Sequence, residues 1–366
     1  MKSQYKHLIQ VVLFGVLLFA MSIFCLLKPA DAVSLSERRP LEQMPLCSID
    51  TIKDGTFMKK FDRYGADQFP FRESFRKLHA ATVTNIFQQR DMEGLYQDGA
   101  QLIAMEYPLN QKSLNHATKV FQTIYDNYLQ ESDCNLYLSI IPDKSYFLQK
   151  HSRYLTLNYE ELIHNFVQAN PQFQYIDITS LLQLDDYYTT DPHWKQEALL
   201  PVTQKIAEEM NSTLSTNYKE NLSKEPFWGT YAGQAAKSLP PDHIRYLTNA
   251  ELESLEIFDH QNNCKIPVYN HNKLNGRDPY EFFLSGPLSL ITIENPNAES
   301  SKELIVFRDS FASPLAPLLA SGYKKITLVD IRYLPSPSLQ KYIQFQNQDV
   351  LFLYSTSVLN HSETLK

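Results

Sequence analysis

The chain has 366 residues, 43% of them hydrophobic and 20% charged, which is typical of globular proteins and excludes wholesale disorder. With 34 Lys and Arg against 41 Asp and Glu the net charge is −7, so a nucleic-acid binder that works by bulk charge is disfavoured. No G-x-G-x-x-G, G-x-x-x-x-G-K, H-E-x-x-H, C-x-x-C or G-x-S-x-G pattern occurs, which disfavours dinucleotide and P-loop folds and the common hydrolase motifs.

The first segment of the chain is apolar. Residues 8–27 are interrupted only by Gln10 and Ser22, and twenty helical residues span about 30 Å, the hydrocarbon thickness of a bilayer. Basic residues before this segment favour a cytoplasmic N-terminus and an exported chain: Lys2, Lys6 and His7. We therefore expect a signal anchor over residues 1–28 in a single-pass cell-membrane protein whose bulk is extracytoplasmic. A cleaved signal peptide is the alternative, since Ala30-Asp31-Ala32 resembles a cleavage site.

The rest of the chain is predicted to be an arm followed by an α/β domain. The arm covers residues 29–78, with an amphipathic turn or helix at 57–64, and the domain covers 79–366, with a loop-rich insertion at about 212–300. Apolar strands are predicted at 134–141, 173–178, 304–307, 326–330 and 350–354. A hairpin is expected at 91–107, and helices at 111–130, 195–211, 311–321 and 337–344. Unbroken apolar strands that alternate with helices imply a parallel sheet covered on both faces.

In such a sheet, functional groups gather beyond the carboxyl ends of the strands. Ser310 follows the strand at 304–307 and begins a helix, where free backbone N–H groups and the positive helix end suit a serine nucleophile. The alternative is structural, because Asp309 or Ser310 could simply cap the helix.

A second candidate precedes the helix at 195–211. Asp191 and His193, two residues apart, can place a carboxylate and an imidazole on one side of an extended segment, as in a Ser-His-Asp triad. A helix cap followed by an ordinary surface histidine is the alternative. The pairs Asp242-His243 and Asp259-His260 lie in the irregular segment and are interpreted as background.

These signals combine with a longer pattern of short boxes. They are Ser36-Glu37-Arg38-Arg39-Pro40-Leu41, Asp67-Gln68-Phe69-Pro70-Phe71-Arg72, Pro142-Asp143-Lys144, Asp191-Pro192-His193-Trp194, Phe227-Trp228-Gly229-Thr230, Asp309-Ser310-Phe311 and Asp330-Ile331-Arg332-Tyr333. In this order they resemble the DHHW family, whose members are related to the SGNH-hydrolase-like domains of alginate O-acetyltransferases. The resemblance implies an SGNH-hydrolase-like three-layer α/β sandwich with a parallel sheet, behind the N-terminal transmembrane helix.

The resemblance also implies roles. Ser310 would be the nucleophile, His193 the general base and Asp191 its orienting carboxylate, while Gly229 and Thr230 are candidates for oxyanion or substrate contacts. One departure concerns Gly286-Pro287, where many relatives have Gly-Asn. If that Asn side chain belongs to the oxyanion hole, this chain lacks one donor, and such a loss typically costs about 10²–10³ in rate.

The expected function is an extracytoplasmic O-acetyltransferase that modifies a cell-surface or exported polysaccharide through an acyl-enzyme. A carbohydrate esterase on the same triad, or a non-catalytic polysaccharide-binding subunit of an export or acetylation complex, are the alternatives. A multi-pass membrane O-acyltransferase is the expected acetyl donor, as the alginate system suggests. No cofactor and no metal site are expected, because the ten His residues are scattered without ligand spacing.

Overall fold

The structure is a computed structural model that describes residues 2–89, 91–149 and 153–366. It divides into two compact units, one of residues 1–92 with 232–238, and one of residues 93–231 with 239–366. The helices are α1 (Lys2–Leu27), α2 (Ile49–Lys53), α3 (Thr56–Asp67), α4 (Arg72–Asn85), α5 (Gln111–Ile124), α6 (Tyr159–Gln168), α7 (Leu200–Glu209), α8 (Thr230–Ala235), α9 (Ala250–Ser254), α10 (Ala312–Leu319) and α11 (Thr356–Asn360).

The strands are mostly short, and the longest ones lie in the second unit. They are β1 (Val33–Ser34), β2 (Arg39–Pro40), β3 (Asp91–Met92), β4 (Leu95–Asp98), β5 (Gln101–Ala104), β6 (Asn135–Ile141), β7 (Gln174–Tyr175), β8 (Lys219–Phe227), β9 (Asp242–Thr248), β10 (Glu256–Asp259), β11 (Cys264–Ile266), β12 (Leu290–Glu294), β13 (Glu303–Arg308), β14 (Lys325–Val329) and β15 (Asp349–Ser355).

The core of the second unit is an eight-stranded sheet in the order β11-β10-β12-β14-β13-β15-β6-β7. The five strands from β14 to β7 run parallel, and β12, β10 and β11 extend the sheet antiparallel at one edge. Alternate residues of β13 face opposite layers, since Leu304 packs in one buried cluster and Ile305 in the other. Helices α7 and α10 cover the first face and α5 and α6 the second. The predicted three-layer α/β fold is confirmed.

Residues 212–300 differ from the predicted loop-rich insertion. They form the β8–β9 hairpin and the three antiparallel strands that complete the main sheet. Each of these five strands has at least one exposed polar residue, so they lack the unbroken apolar runs that identify central strands. The helix predicted at 337–344 is also shorter, a 3-10 turn over Ser336–Lys341, and the strand predicted at 173–178 pairs only at β7.

The first unit is more helical than the sequence indicates. Its arm was expected to end at residue 78, but α4 continues to Asn85 and the compact unit runs to Met92. Helix α1 contains a stretch of 23 residues, Tyr5–Leu27, that is long and apolar enough to cross a bilayer, a property that a signal sequence shares.

Candidate active site

Ser310 lies just beyond the carboxyl end of β13, in the turn that leads into α10. The Asp309 carboxylate accepts hydrogen bonds from the amide of Phe311 at 3.0 Å and from that of Ser355 at 2.8 Å, so it fastens this turn to the end of β15. Helix α10 begins after Phe311, its N-cap residue, and no side chain caps it, so neither Asp309 nor Ser310 has the capping role that the sequence allowed. The Ser310 side chain is half-buried and is left to face another partner.

That partner is His193. Its Nε2 lies 2.8 Å from Ser310 Oγ, and its Nδ1 lies 2.6 Å from Asp191 Oδ1. The fold thus brings His193 and Ser310 into hydrogen-bond contact although they are 117 positions apart in the sequence. Because the carboxylate can only accept, we assign the proton to Nδ1, which leaves Nε2 to accept from the serine hydroxyl. The three residues predicted from the sequence are brought together in the geometry that general-base activation of a serine requires.

Aromatic side chains fix the orientation of the His193 imidazole ring. The Tyr280 ring stacks on it with centroids 3.8 Å apart and planes inclined by 10°, and Phe311 contacts it at 4.8 Å. Buried Trp194 donates from its indole N–H to the Phe311 carbonyl at 2.8 Å, which links the histidine segment directly to the serine turn. Tyr280 gave no signal in the sequence, since it lies in the irregular segment and belongs to no motif.

The Asp191 carboxylate is fully buried, and its orientation is fixed from two sides. Oδ1 accepts from the His193 backbone at 3.2 Å in addition to the ring, and Oδ2 accepts from the Thr230 amide at 2.9 Å. The neighbouring Gly229 amide donates to Thr190 Oγ1 at 2.8 Å. A Cβ on Gly229 would lie 2.3 Å from both Asp191 Cβ and the Thr190 carbonyl oxygen, so only glycine permits this approach.

These contacts also show where the two backbone candidates lie. The Gly229 N–H donates to Thr190 Oγ1 and the Thr230 N–H donates to the Asp191 carboxylate, so both N–H groups hold the catalytic segment. A contact of Gly229 or Thr230 with an oxyanion or a substrate through other atoms stays a prediction. In the described part of the chain, the Ser310 amide donates to no backbone acceptor.

Two further charged groups support the Asp191–His193 segment. Lys144, from the box after β6, is buried and donates from Nζ to the carbonyl oxygens of Tyr188 at 2.7 Å, Thr189 at 3.2 Å and Asp191 at 3.3 Å. Burial lowers the pKa of this ammonium group to about 7.

From the other side, the Asp242 carboxylate accepts from the Thr189 and Thr190 amides, each at 2.8 Å, and from Thr190 Oγ1 at 2.6 Å. The sequence placed Asp242 among background acid–histidine pairs, because nothing local distinguishes it from Asp259.

Gly286 and Pro287, which stand where a Gly-Asn pair was expected from the resemblance, lie in an unusual turn. Leu284, Ser285 and Gly286 have φ values of 51°, 63° and 103°, and consecutive left-handed residues are costly for all but glycine. This turn is joined to the serine strand, since the guanidinium of buried Arg308 donates to the Leu288 carbonyl at 3.2 Å. A proline at 287 offers neither a backbone N–H nor the amide side chain expected of an oxyanion-hole Asn.

Among the described residues, no group of three or more His, Cys, Asp or Glu side chains is arranged to hold a metal ion. Three arginines of the sequence boxes form ion pairs. Arg332 pairs with Asp330 through two hydrogen bonds of 2.9 and 2.6 Å, Arg72 pairs with Glu37 at 2.5 Å, and Arg39 pairs with Asp67 at 2.6 Å.

Several solved structures have a fold similar to that of this chain. A DHHW family protein from Eubacterium siraeum superposes with a TM-score of 0.60 at 16% identity, over 74% of this chain and 93% of its own. PatB1 from Bacillus cereus gives 0.59 at 19% identity over 72% and 96%, and a second PatB1 structure carries a sulfonyl adduct. The O-acetyltransferase domain of Pseudomonas putida AlgJ superposes at 0.44 with 14% identity, over 73% and 92%.

The chain has the fold of the DHHW protein and of PatB1, and the predicted relation to the DHHW proteins is confirmed at the level of the fold. No protein-family model and no curated protein matches the sequence.

Proposed function

We propose that this protein is a membrane-anchored O-acetyltransferase that modifies a polysaccharide outside the cytoplasm. The observation that carries the proposal is the hydrogen-bonded series from Asp191 through His193 to Ser310, with heavy-atom distances of 2.6 and 2.8 Å. A non-catalytic subunit has no need for a buried carboxylate that orients a histidine toward a half-exposed serine. The order of sequence boxes, which resembles that of the alginate O-acetyltransferase relatives, favours acetyl as the transferred group.

In the proposed reaction, Ser310 Oγ attacks the carbonyl carbon of an acetyl ester while His193 Nε2 takes the hydroxyl proton. The tetrahedral intermediate collapses, and the leaving alkoxide recovers that proton from the imidazolium, so an acetyl-serine remains. A sugar hydroxyl then gives its proton to His193 and attacks the acetyl-serine, and Ser310 leaves with the proton from the ring. The Ser310 amide is our candidate for one donor to the oxyanion.

The first helix supports a site of action outside the cytoplasm. If α1 remains as an anchor, the basic residues before it favour transfer of everything beyond residue 28 across the membrane. Acetyl-coenzyme A is cytoplasmic, so a multi-pass membrane O-acyltransferase would have to deliver the acetyl group, and an exported polysaccharide would accept it.

The test is acylation of the purified full-length protein in detergent. We expect p-nitrophenyl acetate to leave an acetyl group on Ser310, detected by peptide mass spectrometry, and a sulfonyl fluoride to label the same residue. Ser310→Ala and His193→Ala should abolish both adducts. His361→Ala is the matched control, because His361 forms a comparable ring–carboxylate contact with Glu106 at 3.1 Å outside the site.

Absence of any adduct on a protein that retains its fold would contradict the proposal and favour the non-catalytic subunit. With an adduct present, addition of acetyl-acceptor oligosaccharides decides between two reactions. Acetyl transferred to sugar supports the transferase, whereas release of acetate alone identifies a carbohydrate esterase.

A further inference from the structure

The first unit exposes a stripe of apolar side chains along α4 and the loop before it. Phe71 is 69% exposed, Leu78 61% and Ile86 71%, and Phe75 lies between them on the same helix face, since residues three and four apart are neighbours. The opposite face packs normally, because Ala80 is buried with Met92 and Ala236. The helix therefore has an apolar face in the core and a second apolar face that is exposed among the described residues, which is unusual for a surface helix.

Together with Phe69 in the preceding loop, these side chains form the apolar stripe, and its first residues lie close to the end of α1. Gln68, directly before Phe69, is hydrogen-bonded to both sides of that end. Cys25 Sγ donates to its carbonyl oxygen at 3.6 Å, and its side-chain amide accepts from the Asp31 amide and donates to the Asp31 carbonyl, each at 2.9 Å. Consecutive Cα atoms are about 3.8 Å apart, so Phe69 and Phe71 lie within roughly 11 Å of Gln68. One interfacial layer of a bilayer is about 5–8 Å thick, so both rings lie within about two such layers of Gln68.

The backbone is held so that it presents these rings. Phe71 has φ 57° and ψ 27°, a left-handed conformation that is a genuine outlier for a bulky residue. Ion pairs on both sides fix the loop, since Arg72 contacts Glu37 at 2.5 Å and Asp67 contacts Arg39 at 2.6 Å. Phe69 and Phe75 contact each other edge to face with ring centroids 5.5 Å apart. Strain at an exposed ring is consistent with a function for that ring outside the protein's own core.

We propose that Phe69, Phe71, Phe75 and Leu78 insert into the lipid interface of the membrane that α1 spans. The occupant of the stripe is lipid, because the loop is tied to the end of the spanning helix and therefore lies at the depth of the headgroups. The charge of the segment agrees, since residues 28–92 contain eleven Lys and Arg against nine Asp and Glu, whereas the whole chain carries −7. The inserted rings would fix the orientation of the first unit on the membrane surface.

The test uses the full-length protein in vesicles of phosphatidylcholine and phosphatidylglycerol. Phe71→Trp introduces a fluorescent reporter. The parent protein contains Trp194 and Trp228, so its emission is measured separately and subtracted. We expect a blue-shifted emission, quenching by lipids brominated near the headgroup end of the acyl chain, and loss of quenching by acrylamide. Lys77→Trp is the control, as Lys77 is exposed on the same helix but lies about 100° around its axis from Leu78. It should stay sensitive to acrylamide.

Equal acrylamide quenching at positions 71 and 77, without quenching by bromolipid, would overturn the proposal. Protection from acrylamide without bromolipid quenching would also overturn it, because protein would then cover the stripe. If Phe71→Trp fails to fold, Phe75→Trp gives the same readout. None of these measurements depends on catalysis, so the result stands apart from the proposed acetyltransferase activity.

Discussion

Asp242 provides a sharp test of how the catalytic segment is held. Its carboxylate accepts three hydrogen bonds, from the amides of Thr189 and Thr190 and from Thr190 Oγ1, at 2.8, 2.8 and 2.6 Å. Asp242→Ala removes all three, although the site residues themselves are unchanged. Asp191 follows immediately in the chain, so the freed segment carries the carboxylate and His193 with it.

The expected loss of stability is about 2–3 kcal/mol, at roughly 1 kcal/mol for each hydrogen bond and less where water replaces a half-buried acceptor. The loss of activity should be larger, because a displacement of about 1 Å in a positioned catalytic group can cost roughly 10² in rate. We therefore expect kcat for p-nitrophenyl acetate to fall about 100-fold.

Asp259 is a matched control from the same kind of acid–histidine pair. Its carboxylate also accepts three hydrogen bonds, from the amides of Gln261 and Asn262 and the Asn262 side chain, at 2.9, 3.3 and 2.6 Å. These contacts fasten the turn between β10 and β11 and involve no candidate site residue. Asp259→Ala should lower the free energy of unfolding to a similar extent but leave kcat unchanged.

Urea unfolding and initial rates with p-nitrophenyl acetate, measured on both variants, separate the two effects. Equal losses of stability with unchanged kcat in Asp242→Ala would refute the reasoning, since the three bonds would then hold the fold and not the site. A proportional loss of kcat in both variants would refute it as well, because global destabilisation would explain the result.

Three further predictions concern the site and the first unit. Asp191→Asn should lower kcat by up to about 10⁴, because an amide NH₂ facing Nδ1 favours the tautomer of His193 that cannot accept the serine proton. Tyr280→Phe should leave kcat unchanged, since the buried hydroxyl has no hydrogen-bond partner in the described structure, whereas Tyr280→Leu should lower kcat by up to about tenfold through loss of a ring contact of about 0.5–1.5 kcal/mol. Hydrogen bonds from the Arg39 guanidinium lower the pKa of the Asp67 carboxyl. The stability that this carboxylate contributes is therefore fully present above about pH 4, and it is lost as the pH falls through the folded pKa. Asp67→Asn should remove this part of the pH dependence of the free energy of unfolding.

Each of these has a clear contrary result. An Asp191→Asn enzyme with near-normal kcat would show that the carboxylate does not set the tautomer. Equal rates in Tyr280→Phe and Tyr280→Leu would remove the stacked ring from the argument. An acid-unfolding profile that Asp67→Asn leaves unchanged would mean that this carboxyl titrates alike in the folded and unfolded chains.

The sequence by itself indicated the central strands and the three candidate site residues. Strands β6, β13, β14 and β15 are buried on both faces, so their apolar runs are visible without any tertiary information. Functional groups at the ends of such strands are expected from topology, which is how Ser310 was found. The two-residue spacing of Asp191 and His193 suggested a carboxylate–imidazole pair, and the resemblance carried by the short boxes gave the two residues their roles.

Only the tertiary structure shows which acidic side chains hold the catalytic segment and which aromatic ring stacks on His193. Asp242 and Tyr280 act across 50 or more residues of sequence, and no local pattern records which backbone amide or which ring lies opposite them in the fold. Helix α4 escaped detection for the same reason, because its exposed apolar face obscures the polar–apolar alternation by which surface helices are identified. The sequence determines local periodicity, whereas packing between distant segments determines which polar group receives each hydrogen bond, and only the folded chain fixes that pairing.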